Sequence, residues 1–236
     1  NMTFELGKKD LSRIQKASTK IICISKAIEN HYRYLGDNLC TIYNGVSLNS
    51  CPYVKKTKNN SNFRMVLTGR LGKEKGHYLV LDALEYLDSI GVSNITLDFY
   101  GSGACEEELK EIVIRKKLAN RVKFCGYTKM IPYNLYDVGL MCSNYEGFGR
   151  VTVEYMLAGL PVIGSNSGAT PELVHDGKTG LLYKAFDYKA LATSIAALEK
   201  DRTAAQKMGE EGLKFAHSEF TEKRYLENVT NVLFAR

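Results

Sequence analysis

The chain contains no apolar run approaching the roughly 20 residues that a membrane-spanning helix needs, and no signal-peptide pattern opens it. Its six cysteines, at positions 23, 40, 51, 105, 125 and 142, include no C-x-x-C pair, and its four histidines show no ligand spacing. A structural zinc site is therefore not expected. Four of the cysteines lie inside apolar runs, which suits free buried thiols in a reducing cytosol better than disulfides. The N-x-S/T triplets at Asn59, Asn94 and Asn228 are then chance matches. No helix-turn-helix, arginine-rich run or aromatic-basic ribonucleoprotein motif occurs, so nucleic acid is not the expected partner. Gly101-Ser102-Gly103 opens like G-x-G-x-x-G, but position 106 is Glu, and the missing third glycine argues against NAD. Internal repeats and low-complexity tracts are also missing.

What is present is an ordinary globular composition, with 44% apolar and 25% charged residues over 236 positions. That length allows one large α/β domain, or a domain plus a fragment. The net charge of +6 favours anionic partners, such as a nucleotide diphosphate or an acidic membrane surface. Residues 1–18 read as an irregular or helical lead-in, with Leu6, Leu11 and Ile14 as contacts. A strand at 20–25, a helix at 27–35 and a strand at 39–43 follow, closed by an Asn44-Gly45 turn. Residues 49–62 are polar, aperiodic and interrupted by proline, as in a linker. From Phe63 onward strands and helices alternate, the pattern of a parallel sheet covered by helices on both faces. Strands are expected at 63–69, 94–100, 121–125, 138–142, 161–164 and 180–183. Helices are expected at 76–89, 104–118, 130–135, 151–158, 170–175, 187–199, 202–215 and 221–234.

The stretch from Ser143 to Glu154 organises this pattern. It joins the apolar run Val138–Cys142 to a helix that Gly159-Leu160-Pro161 stops. Its two glycines allow a close approach by a ligand. Free amides from Gly149 through Arg150 and Val151 to Thr152, at the helix start, form an anion site. Glu154, about one turn in, is placed for ribose hydroxyls, and Glu146 faces whatever lies beyond the phosphate. Ribose, diphosphate and a further group describe a nucleotide-sugar, although a βα turn carrying two surface glutamates has the same local pattern. Three other turns, Gly69-Arg70 to Gly76, Gly101-Ser102-Gly103 and Gly126-Tyr127, also follow expected strands. In a parallel sheet all four open on one edge, where such folds bind ligands.

The segment Glu146-Gly147-Phe148-Gly149-Arg150-Val151-Thr152-Val153-Glu154 resembles the E-x7-E signature of the retaining glycosyltransferases of family 4. Pro161-Val162-Ile163-Gly164-Ser165 and Gly168-Ala169-Thr170-Pro171-Glu172-Leu173 continue the resemblance, which runs from about Thr19 to Leu182. It implies the C-terminal half of a two-domain GT-B fold, a Rossmann-like parallel sheet with helices on both faces. Residues 1–48 would then be the closing segment of an acceptor domain otherwise absent, 49–62 the linker, and 63–236 the nucleotide-sugar-binding domain. The implied activity is retaining transfer of a sugar from a nucleotide diphosphate-sugar to an acceptor, in cell-surface polysaccharide or glycoconjugate synthesis. Glu146, Arg70 and Lys75 are the implied catalytic residues. Gly69, Gly101, Gly103, Tyr127, Phe148, Gly149, Arg150, Val151, Thr152 and Glu154 are the implied donor contacts, with Tyr127 equally readable as a surface aromatic. Lys73 reads as solvated, Tyr145 as packed, and His175 as a helix-end residue. No Asp-x-Asp pair is present to hold a divalent ion, so no metal and no cofactor are expected. The nucleotide-sugar is itself the substrate, UDP-linked ahead of GDP- or ADP-linked. A glycan or lipid-linked sugar is the implied acceptor, met through the missing domain. The implied location is the cytoplasm, with peripheral contact at the inner membrane face in the full-length protein. An epimerase or sugar phosphate synthase on the same fold, or a non-catalytic nucleotide-sugar binding module, are the rival readings.

Overall fold

The structure, a computed structural model, describes residues 8–48 and 62–234. Its main body is a six-stranded, all-parallel sheet of β3 (Phe63–Thr68), β4 (Ile95–Tyr100), β5 (Val122–Phe124), β6 (Val138–Met141), β7 (Val162–Ser165) and β8 (Gly180–Tyr183). The spatial order is β5-β4-β3-β6-β7-β8. The chain winds outward one way from β3, then returns to start again at β6. That reversal leaves a crevice at the carboxyl ends of β3 and β6, the place where open α/β sheets take ligands.

Helices α3 (His77–Ser89), α4 (Glu106–Arg115), α5 (Arg150–Leu157), α6 (Thr170–Leu173), α7 (Tyr188–Lys200) and α8 (Arg202–Glu219) flank the sheet. Because strand side chains alternate faces, β3 feeds two cores. Phe63, Met65 and Leu67 pack with Leu81, Leu84 and Ile195 on one face. Val66 packs with Val153, Met156 and Ala216 on the other. Asp187 caps α7 by accepting from the amides of Lys189 and Ala190 at 3.1 and 2.9 Å.

The expected strands all form, with bounds within a residue or two of those expected. The expected helix at 130–135 does not: only the single 3₁₀ turn Tyr133–Leu135 is present. Ile131, placed before Pro132, is disfavoured in helical backbone, and Pro132 itself is non-helical at ψ 68°, so no helix runs through the segment. The expected helix at 170–175 stops at Leu173, where Val174 turns extended. The linker at 49–62 lies outside the described residues except for Asn62, as does Leu6.

The amino-terminal segment holds α1 (Lys8–Ala17), β1 (Ile21–Cys23), α2 (Lys26–Tyr32) and β2 (Leu39–Thr41). Its two strands pair with each other in parallel, apart from the large sheet. The segment joins the body through Val46, fully buried, whose amide donates to the Phe220 carbonyl at 2.8 Å. The last helix, α9 (Glu222–Phe234), buries none of its residues and exposes Leu226, Leu233 and Phe234. Among the described residues no helix is long and apolar enough to cross a membrane. The five described cysteines are free thiols, and burial pushes that of Cys142 up to about 12.

Candidate functional site

The turn after β3 and the turn after β6 meet at the crevice. Gly76 makes that approach, with φ +78° and a position where a Cβ would stand 2.1 Å from the Cys142 carbonyl oxygen. The Asn144 amide donates to the Glu74 carbonyl at 2.9 Å and ties the same two turns. Lys75 is thereby carried onto Glu146, and their ammonium and carboxylate form a direct ion pair. Glu146 is 6% exposed, and Ser143, buried beneath it, donates to the same Oε1 at 2.7 Å. Since both contacts use Oε1, Oε2 is left to face a ligand. The backbone of Glu146 is held from behind, its carbonyl accepting from the Ala169 amide at 2.9 Å. Gly168 allows this, because a Cβ there would meet that carbonyl oxygen at 2.5 Å. The methyl of Ala169 is fully buried and does not disturb the approach.

Around this pair lies a cleft of about 350 Å³ lined by Gly69, Arg70, Lys75, Glu146, Gly147, Phe148, Gly149, Arg150 and Val151, among others. A second lobe of about 320 Å³ shares Thr68, Gly69 and Arg70 with it and continues to Tyr100, Gly101, Ser102, Tyr127 and Ile131. The two lobes form one trough across the carboxyl ends of β3, β4 and β6. Its middle carries Arg70 and the start of α5, one end has the Glu146–Lys75 pair, and the other has aromatic walls. A larger hollow, about 600 Å³, lies beside β4 and β5, where Arg64 faces Asp98 at 3.6 Å and Arg121 pairs with Asp88. It has neither a helix start nor a glycine turn.

The trough gathers seven of the ten expected donor contacts: Gly69, Gly101, Tyr127, Phe148, Gly149, Arg150 and Val151 line it. Glu154 does not line either lobe; its carboxylate accepts from the Tyr133 hydroxyl at 3.3 Å, two residues from Ile131 in the second lobe. Burial raises the Glu154 carboxyl above its usual range, against the opposing pull of Arg150 and Tyr133. Thr152 is fully buried and outside the lining, and its amide donates to the Gly149 carbonyl at 2.9 Å. The amides left free at the start of α5 are therefore those before it, because Gly149, left-handed at φ +85°, closes a tight first turn. Gly103 is also outside the lining and packs against the Leu71 backbone. Tyr127, 73% exposed, forms a wall of the second lobe. Tyr145, expected to pack, is 49% exposed, since Ser143 and Glu146 take the inward positions of the turn.

Three features add to the residues expected at the site. Arg70 is paired with Glu74 one turn on, both more than a third exposed, and the guanidinium holds the Glu74 carboxyl below the usual range. His77, fully buried at the start of α3, stacks edge-on against Phe99 at 4.9 Å, and burial pulls its imidazole down to about 4. Ile24 and Asn44, from the amino-terminal segment, line the Glu146 end of the trough. Asn44 had a signal in its turn motif; Ile24 had none. Among the described residues, no three His, Cys, Asp or Glu come together as a metal-binding group.

The family profile described as "Glycosyl transferases group 1" matches residues 53–215. The lipopolysaccharide core biosynthesis mannosyltransferase LpsB of Rhizobium meliloti is 41% identical over 103 residues, which are 42% of this chain and 29% of LpsB. The capsular polysaccharide biosynthesis glycosyltransferase CapM of Staphylococcus aureus is 26% identical over 184 residues, 73% of this chain and 46% of CapM. The chain thus spans less than half the length of either. Anabaena HepE, solved in complex with UDP and glucose, superposes with a TM-score of 0.84 at 25% identity, covering 97% of this chain and 67% of that one.

Proposed function

The chain belongs to the glycosyl transferases group 1 family, and from that premise we propose that it is the donor-binding part of a retaining, metal-independent glycosyltransferase that uses a UDP-sugar. The observation that carries this reading is the trough itself: cations, a buried carboxylate and a helix start line one lobe, and tyrosines line the lobe that adjoins it. The base occupies the lobe of Tyr100 and Tyr127, and the ribose lies toward the Glu154–Tyr133 pair. The diphosphate crosses the middle, between Arg70 and the first amides of α5, and the sugar reaches Glu146. That HepE is solved with UDP and glucose supports the assignment of donor class.

In the reaction the bond between the sugar's anomeric carbon and the diphosphate oxygen breaks. The acceptor hydroxyl forms the new bond on the same face, and its proton passes to the departing phosphate. Negative charge grows on that phosphate, and groups fixed beforehand stabilise it best. Arg70 offers a forked contact, Lys75 a point charge, and α5 its amides and dipole. Glu146 holds sugar hydroxyls through Oε2. Its Oε1 is engaged by Lys75 and Ser143, which suits an orienting carboxylate better than a nucleophile. The cations and helix start perform the task that a divalent ion performs elsewhere. Polysaccharide or glycoconjugate synthesis in the cytoplasm is the proposed setting, in line with the roles named for LpsB and CapM.

A calorimetric screen of UDP-, GDP- and ADP-sugars tests this reading. A UDP-sugar is expected to bind most tightly. Binding by none of the three would contradict it.

A further inference from the structure

Glu172 lies on α6, within the body, yet its carboxylate does not face the trough. One oxygen accepts from the Lys26 amide at 2.8 Å and from the Tyr43 hydroxyl at 2.9 Å; the other accepts from the Ala27 amide at 2.7 Å. These partners lie 129 to 146 positions away in sequence. The two amides open α2, whose unpaired N–H groups and dipole favour a carboxylate. The contacts to Glu172 also push the Tyr43 hydroxyl upward, behind the larger effect of its burial.

The choice of partners has a consequence for the trough. Lys26 is two residues from Ile24, and Tyr43 adjoins Asn44, so one carboxylate clamps the chain beside each wall residue that the amino-terminal segment supplies. Further packing points the same way. The side chains of Ile24 and Ile28 approach Gly147, coming within 3.6 and 3.7 Å of where a Cβ there would stand. Tyr43 lies against Phe148 and Phe220, with ring centroids 6.1 and 5.6 Å apart. Gly45 rests on Glu222, whose Cα is 2.8 Å from its would-be Cβ.

Building on the donor reading above, we propose that Glu172 is a positioning residue that latches the amino-terminal segment onto the body, so that Ile24 and Asn44 complete the pocket for the transferred sugar. Ile24 gives that pocket an apolar wall and Asn44 a carboxamide suited to a sugar hydroxyl. Both stand at the end that holds Glu146, and neither lines the lobe assigned to the base. The latch therefore governs recognition of the sugar rather than of the nucleotide.

The test uses the full chain with two readouts. In Glu172→Ala the amides of residues 26–29 should exchange with solvent at least about tenfold faster, as a released helix start does. Calorimetry with UDP and with UDP-glucose, UDP-galactose and UDP-N-acetylglucosamine gives the second readout, the preference of the chain for its best UDP-sugar over UDP. That ratio should fall about fivefold in Glu172→Ala and in Ile24→Ala, because only the sugar's contacts are weakened. Glu172→Gln, which keeps one acceptor oxygen, should lie between wild type and alanine in both readouts. Unchanged amide exchange in Glu172→Ala would overturn the latch. Faster exchange with an unchanged ratio in both alanine variants would overturn the sugar wall. Failure of the unaltered chain to bind UDP would instead refute the donor reading, while the exchange experiment still decides the latch.

Discussion

At the level of single residues, the cations assigned to the diphosphate are already paired in the protein, Lys75 with Glu146 and Arg70 with Glu74. The two pairs differ in kind. The first is buried and built into the site. The second is exposed, and a diphosphate must displace Glu74 to gain the forked contact with Arg70. Glu74→Gln is therefore expected to tighten UDP binding by up to about fivefold, the worth of an exposed ion pair. Arg70→Ala should weaken it by roughly 1.5–3 kcal/mol. Isothermal titration reads both, and weaker binding in Glu74→Gln would contradict the displacement. The sequence made Arg70 and Lys75 legible as cations in a glycine-bounded turn, but not their partners. Lys75 and Glu146 are 71 positions apart, and only the folded sheet brings them together.

His77 carries a prediction of another kind. Its imidazole titrates near 4 in the folded chain because burial disfavours the charged form, against about 6.5 when unfolded. Between those values the unfolded chain takes up the proton and the folded chain does not, so stability falls as pH drops through the window. Urea midpoints at about pH 7 and about pH 4.5 should lie closer together for His77→Gln than for the unaltered chain. An identical shift in both would show that other groups carry the acid sensitivity.

At the level of elements, the strands of the body were legible because each is a short run, continuously apolar or alternating apolar with polar, between turn residues. The helix expected at 130–135 was not, since three apolar residues near a proline look the same in a helix and in an anchored loop. The loop instead serves the site, with Ile131 in the second lobe and Tyr133 on Glu154. The turns after β3 and β6 act as one unit, joined where Gly76 meets Cys142. Gly76→Ala would force a methyl into that carbonyl at an unfavourable φ, and should destabilise the chain by more than about 1 kcal/mol. Its unfolding midpoint in urea measures this, and an unchanged midpoint would mean that the turns are not fixed to each other. The two glutamates belong to different elements and should separate functionally. Glu154→Ala should weaken UDP and a UDP-sugar alike, whereas Glu146→Ala should weaken only the UDP-sugar. Equal loss of both ligands in Glu146→Ala, again by calorimetry, would reverse the proposed order along the trough.

At the level of the whole molecule, the parallel sheet was readable from alternation alone, and its strand order explains why most of the expected site residues, though not Gly103 or Thr152, line one trough. The role of the amino-terminal segment was not readable. Its two strands pair with each other, and Glu172 ties α2 to a helix nearly 150 residues away. No spacing rule in a sequence encodes such a contact. The central claim is that the trough binds a nucleotide diphosphate through fixed cations and a helix start rather than through a metal. Titration of UDP in the presence of a chelator, with the unaltered chain and with an Arg70→Ala/Lys75→Ala variant, tests it most directly. Saturable binding by the first and its loss in the second are predicted; binding that requires an added divalent ion, or that survives removal of both cations, would contradict the account.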